Sequence, residues 1–353
     1  MLRLFGTART RRMLGIDISS TAVKLLELSQ EGDRYKVENY AITTLPNETS
    51  IGDSDNRPSA IGDQIRAICD RLNIRSKQAA AAVPSSSVIV KTIPMPAGLA
   101  DIDLEAQIAF EADQHIPYPL DEVALDFQEQ GPVLGASDQI DVLLVACRQQ
   151  AVELRTDALA RARLVPVAID VETFALNRAM SALQPQLSAF AADKVALLNV
   201  GATSSSLSVF VAGKSIYSRE QVFDGKQLTN QLMSGGDPLD DALSVCEQRD
   251  QLEDADQEAV RTFRETVLQQ VSRSLQLFFS TSDFDALDCI VLSGGVAATA
   301  GLSGLIEERL SIPTVVANPF TNMSIAPAVD QCALAKDAPA MMVACGLAMR
   351  SNP

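Results

Sequence analysis

Apolar residues are mixed with polar ones over short runs in "MLGIDISS", "AVKLLELSQ" and "YKVENYAITTL", and turn residues separate the three stretches. Runs of this length bounded by turn residues predict three short strands. The spacing then changes. "PSAIGDQIRAICDRLNI" sets its apolar residues at helical intervals, so the first segment predicts β-β-β-α. The order returns further along: "VALLNVGAT", "SSLSVFVAG" and "KSIYSREQV" predict three more strands, followed by a helical "GKQLTNQLM" and a long helix from about Asp256 to Phe279. In that helix Val260, Phe263, Val267, Val271, Leu275 and Phe278 form one stripe, the mark of a helix lying on a core.

Laying one repeat on the other sets Gly15-Ile16-Asp17-Ile18-Ser19-Ser20-Thr21 over Leu197-Leu198-Asn199-Val200-Gly201-Ala202-Thr203, each ahead of a second alternating strand. Such self-similarity predicts duplicated domains facing each other. A strand, a tight turn of small hydroxyl residues and a returning strand expose backbone N–H groups and hydroxyls, a concave donor site suited to phosphate oxygens. Asp17, at the end of the first strand, has the chemistry to hold Mg²⁺ through water, because that ion keeps much of its hydration shell and prefers oxygen. A third element, "IVLSGGVAATAGL" at 290 to 302, runs from a buried strand through paired glycines to a helix starting near Gly301. Missing side chains there let a ribose or adenine approach the backbone. Each element alone is a common loop; the three in this order predict a nucleotide held between two domains.

Between the repeats, from about Ser87 to Leu164, the pattern predicts a strand-helix-strand-strand-helix unit: "VIVKTIP", "DLEAQIAFEADQH", "VALDFQEQ", "QIDVLLVACR" and "AVELRTDALARARL". Its first helix carries Glu105, Glu111 and Asp113, read as a solvated face with a partner surface as the alternative.

Composition removes several function classes. With 353 residues, 47% of them apolar, the chain is long enough for two domains. Its 45 acidic against 29 basic residues, a net charge of −16, oppose a nucleic-acid partner. His115 is the only histidine, which leaves no histidine cluster for a hydrolytic triad or a zinc site, and there is no tryptophan. Six cysteines lie apart without a C-x-x-C pair and are expected to be reduced thiols in a cytoplasmic protein. The opening "MLRLFGTARTRRM" holds arginines instead of an apolar signal core, and no membrane crossing is expected.

The order of phosphate hairpin, second phosphate hairpin and S-G-G loop resembles the actin-like ATPase superfamily of actin, sugar kinases, heat-shock chaperones and the cell-division protein FtsA. "GIDISSTAVKLLEL", "LEAQIAFEADQHIPYPLDEVALDF", "DVLLVACRQQAVE", "VAIDVETFALNRA" and "FDGKQLTNQL" resemble more closely the PilM family, actin-like components of type IV pilus assembly, from about Met13 to Arg350. The resemblance implies an α/β fold of two actin-like domains with an inserted FtsA/PilM-type subdomain. Its expected parts are a flexible basic tail over 1–12, half I over 13–86, the insertion over 87–164, the return of half I over 165–190, and half II over 191–350. It also implies ATP or ADP with Mg²⁺ as cofactors. Asp17 would organise the metal; Ser19, Ser20, Thr21 and Lys24 would meet the phosphates; Gly201, Thr203 and Ser204 would form the opposing hairpin. Gly294, Gly295 and Gly301 would underlie the adenosine, Gly225 and Lys226 would flank it, and Asp170 would position water or metal, with a helix cap as its alternative role.

One departure bears on catalysis. Asn199 stands where the superfamily usually has an aspartate, and an amide brings no charge to a metal or an attacking water. Asp170 and Asn199 are thus the catalytic candidates of a chain expected to be at most a weak ATPase. As to partners, the resemblance implies the cytoplasmic N-terminal peptide of a PilN-like inner-membrane protein, other pilus platform or motor components, and indirect membrane contact at the inner face of the inner membrane. Homo-oligomer formation stays open. The alternatives are an FtsA-like filament protein, which usually ends in a lipid-binding helix where this chain ends "MMVACGLAMRSNP", and a sugar or acetate kinase of the same superfamily.

Overall fold

The repeated strand pattern folds as two sheets of matching connectivity. The computed structural model describes residues 11–32, 34–45, 57–133, 135–223 and 254–350. In the first half, β1 (Arg11–Ile18), β2 (Ala22–Glu31) and β3 (Arg34–Thr44) form an antiparallel meander; α1 (Arg57–Arg71) then leads to β4 (Gln78–Val83), which pairs parallel with β1. β8 (Val165–Val171) pairs parallel with β4. In the second half β9 (Lys194–Val200), β10 (Ser204–Val211) and β11 (Lys214–Val222) repeat the meander, and β12 (Cys289–Ser293) and β13 (Thr314–Val316) repeat the two parallel strands. A short β14 (Ser324–Ile325) joins the β3 edge of the first sheet.

Both sheets are buried on two faces, which explains why their inner strands read as near-continuous apolar runs. Outside the first sheet, α1 packs with α3 (Gln149–Arg161): Ile61, Ile65, Ala158 and Leu159 share a core with Ile16 and Leu25. Outside the second sheet, α6 (Asp254–Thr281) and α7 (Leu302–Leu310) cover Ala196 and Leu198 with Val267, Phe278 and Ile306. Between the sheets lie α4 (Glu172–Met180), the single turn α5 (Gln184–Leu187), α8 (Gln331–Asp337) and α9 (Met342–Ala348). There Leu26 and Ala80 of one sheet meet Leu197 and Val291 of the other through Leu176 and Ala344. The closing helix α9 is buried throughout, and a Cβ at Gly346 would collide with the Ala175 carbonyl, so only glycine lets α9 and α4 approach this closely.

The inserted unit is β5 (Val88–Pro96), α2 (Asp101–His115), β6 (Val123–Val133) and β7 (Ala136–Arg148), a separate antiparallel sheet of order β5-β7-β6 with α2 on one face. Its small core holds Ile93, Met95, Leu104, Ile108, Val142 and Leu144. The sequence pattern assigns α3 to this unit as well. Its apolar side instead packs with α1, so α3 is the first half's crossover between parallel strands, the counterpart of α7 in the second half. At the N-terminus β1 starts at Arg11, which takes Arg11 and Arg12 out of the expected tail; Arg12 lies 3.5 Å from Glu38 and 3.7 Å from Glu27. The expected helix at "GKQLTNQLM", with Gly225 and Lys226, lies outside the described residues.

Candidate functional site

The two β-hairpins of the repeats meet. At the β1–β2 turn the Ser19 amide donates to the Ala22 carbonyl at 3.0 Å, and the Ser19 hydroxyl accepts from the Ala22 amide at 3.1 Å. At the β9–β10 turn the Gly201 amide donates to the Ser204 carbonyl at 2.9 Å. These tight turns put Ser20 Oγ 3.1 Å from Thr203 Oγ1, closing a cavity of about 950 Å³ from above. That volume is within the range of a small-molecule site.

Most residues singled out in the sequence line this cavity. Asp17, Ser19, Ser20, Thr21 and Lys24 come from the first hairpin, Asn199, Gly201, Thr203 and Ser204 from the second, and Gly294 and Gly295 from the turn after β12. Gly294 has φ +90°, and a Cβ there would strike the Val200 carbonyl, so the turn runs against β9 without room for a side chain. Two expected residues are elsewhere. Gly301 caps the N-terminus of α7 with φ 73° and is not among the cavity-lining residues, so it shapes the helix start. Asp170 is also absent from the lining. Its Oδ2 accepts from Arg350 Nη1 at 2.6 Å and from Arg178 Nη2 at 3.0 Å, an arrangement that ties β8 to α4 and the chain end instead of presenting a carboxylate to ligand. The capping role does not hold either, since Val171 occupies the N-cap of α4.

Among the charged residues of the cavity that were not picked out from sequence are Glu172, Glu220 and Arg155. Glu172 opens α4, two residues beyond Asp170. Burial, then the neighbouring charges of Asp17 and Glu220, pushes its carboxyl up to about 8, while Lys24 and Arg155 pull the other way. Glu220 reaches in from β11, and its Oε2 is buried with no hydrogen-bond partner. Arg155, on α3, is buried and donates to the Ala82 and Ala151 carbonyls at 2.7 and 2.9 Å, which fixes its guanidinium at the cavity wall. Only the tertiary fold brings residues 155, 172 and 220 together; in the sequence they are ordinary surface-type charges.

Asp17 and Lys24 face each other across the β1–β2 ladder, and Lys24 Nζ donates to Asp17 Oδ2 at 2.9 Å. On the second hairpin, Asn199 Oδ1 accepts from Ser293 Oγ at 3.3 Å, a neutral contact where the first hairpin carries an ion pair. No group of three His, Cys, Asp or Glu side chains among the described residues is placed to ligate a metal directly. Oxygen donors at Asp17 and Glu220 fit a hydrated Mg²⁺ bound chiefly to phosphate, the manner in which that ion is usually held. At another part of the lining, burial and then the charge of Asp337, whose carboxylate accepts a hydrogen bond from the phenol, push Tyr40 up to about 12, so its phenol stays neutral.

Duplicated β-β-β-α halves closing two hairpins over a central cleft define the actin-like ATPase fold. Residues 15–352 match the family of the type IV pilus assembly protein PilM, and the chain belongs to that family. Among solved structures, one in the PilM-PilN type IV pilus biogenesis complex is similar at 26% identity with a TM-score of 0.78, covering 97% of this chain and 98% of that one. The ethanolamine utilization protein EutJ from Carboxydothermus hydrogenoformans, at 15% identity and TM-score 0.56 over 97% and 90% of the two chains, shares the fold.

Proposed function

We propose that the protein is a nucleotide-binding adaptor of type IV pilus assembly. It takes Mg-ATP or Mg-ADP into the cleft and holds the cytoplasmic N-terminal peptide of a PilN-like membrane protein on its inserted subdomain. The observation that carries the nucleotide half is the meeting of the duplicated hairpins at Ser20 and Thr203 over a cavity that also reaches Gly294 and Gly295. Backbone amides and hydroxyls of the hairpins, with Lys24 and Arg155, supply donors for phosphate oxygens, and Asp17 with Glu220 supplies oxygens for the hydrated metal. Mg-ATP is expected to raise the melting temperature of the wild type by mass action and to leave Asp17→Ala unmoved. Equal shifts in both proteins refute this use of the cleft.

The peptide half rests on the face of the inserted sheet opposite α2. Strand alternation puts Val90, Val145 and Leu143 there, half-buried or exposed, with Asp126 and Asp141 beside them in register. An apolar floor with acidic residues alongside suits an extended peptide with hydrophobic anchors and a basic residue. In this reading attachment to the inner face of the membrane runs through the partner; no helix among the described residues is long and apolar enough to cross a membrane. A PilN-like peptide is expected to bind the wild type and to lose binding in Val145→Asp; unchanged affinity sinks the assignment of this face.

A further inference from the structure

Helix α2 carries two apolar ridges on opposite sides. Leu104, Ile108 and Ala112, spaced i, i+4, i+8, are buried against the inserted sheet. Ile102, Ala106 and Phe110 repeat that spacing on the outer side, where Ile102 is 80% and Phe110 69% exposed. A surface helix normally reserves its outer side for polar residues, and a helix apolar on both sides is one covered on both sides.

Charge specifies the covering element. The outer apolar ridge runs between two neighbouring i, i+4 rows, Asp103-Gln107-Glu111 and Glu105-Ala109-Asp113, so carboxylates border it on both flanks. The segment has no lysine or arginine of its own, and its one histidine, His115, sits at its far end with Nδ1 3.3 Å from Lys91 Nζ. A second copy of this chain would bring another strongly acidic molecule, at net −16, against these carboxylates. A membrane surface fits no better, because helices that lie on lipid flank their apolar side with Lys and Arg.

We infer that the outer face of α2 is a docking surface for a basic amphipathic helix of another protein, whose apolar ridge packs beside Ile102 and Phe110 and whose flanking Lys or Arg side chains meet the two acidic rows. Ridges of one helix lodge in the grooves of another at this spacing. The surface lies on the side of α2 facing away from the sheet, so a peptide on the sheet face and a helix on this face would not compete for residues.

The probe is a synthetic amphipathic helical peptide with leucines on one side and lysines along both flanks, titrated against the full chain by fluorescence anisotropy. Binding is expected to weaken about tenfold or more in Ile102→Ser/Phe110→Ser and in Asp103→Lys/Asp113→Lys. Both variants should keep the wild-type melting temperature because these side chains are exposed. Protection of amides 102–113 from hydrogen exchange should accompany binding by the wild type. Equal affinity of the Ile102→Ser/Phe110→Ser protein, equal binding of the same peptide with glutamate for lysine, or recruitment of the wild type to anionic vesicles through these two residues would each overturn the inference. So would a wild-type dimer in sedimentation that the double variant converts to monomer.

Discussion

Ser20 and Thr203 are separated by 183 positions in the chain and by 3.1 Å in the fold. The contact joins the tips of two hairpins that the repeat makes equivalent, so the cleft is spanned directly by the groups proposed to grip phosphate. A pair of cysteines at these positions, Ser20→Cys with Thr203→Cys, is expected to form a disulfide under mild oxidation. The oxidised protein should then exchange a fluorescent ATP analogue at least about tenfold more slowly than the reduced one, since entry and exit require the cleft walls to part. Unchanged exchange after verified disulfide formation would show that ligand reaches the cavity by another way.

Glu172 makes stability depend on pH in a defined sense. Its carboxyl is pushed up to about 8 in the folded protein from an ordinary value of 4.5. Between those values the folded chain holds a proton that the unfolded chain has released, so this residue's contribution is fully present below about 4.5 and is lost as pH rises through about 8. Glu172→Gln, which keeps the size and removes the charge, should therefore raise the melting temperature more at pH 8.5 than at pH 5 (test values of about that size suffice to bracket the window). A gain of equal size at both values would assign the effect to packing.

Asn199 is expected to limit catalysis on the second hairpin. Its amide accepts from Ser293 and brings no charge to a metal or water, so turnover by the unaltered protein is expected to be slow or undetectable. Asn199→Asp should speed phosphate release from ATP by about tenfold or more, read in a steady-state assay. Rapid hydrolysis by the wild type would remove the reason given for an adaptor role without fast turnover.

The sequence made the duplicated meanders, their two hairpin turns and the buried strand ahead of Gly294 legible because each depends on local periodicity and turn chemistry, whereas the parallel strands β4, β8 and β13 carried no such signal. Asp17, Thr203 and Gly294 follow from that pattern and all line the cavity. Asp170 and Gly301 were misplaced for a related reason: a strand end and a helix start can be read locally, but which wall their residues face depends on packing. Asp170 turns to Arg178 and Arg350, the latter 180 positions away. Glu172, Glu220 and Arg155 were missed because they come from three elements whose convergence has no local signature. The role of α3 was hidden as well, since its amphipathic spacing shows that it covers a sheet without showing which one.

Gly346 and Gly304 provide a matched test of the packing that holds the halves together. Both sit in helices. A Cβ at Gly346 would collide with the Ala175 backbone where α9 crosses α4, in the core shared by the two large sheets. A Cβ at Gly304 meets nothing within 4 Å. Backbone cannot yield as a flexible side chain can, so Gly346→Ala must force the helices apart and is expected to cost about 2–4 kcal/mol, seen as a lower urea midpoint. Gly304→Ala should be neutral or stabilise by up to about 1 kcal/mol through helix propensity. Because α9 and α4 lie between the sheets, Gly346→Ala should also weaken nucleotide binding while Gly304→Ala leaves it intact; equal behaviour of the two variants would separate this contact from the geometry of the cleft.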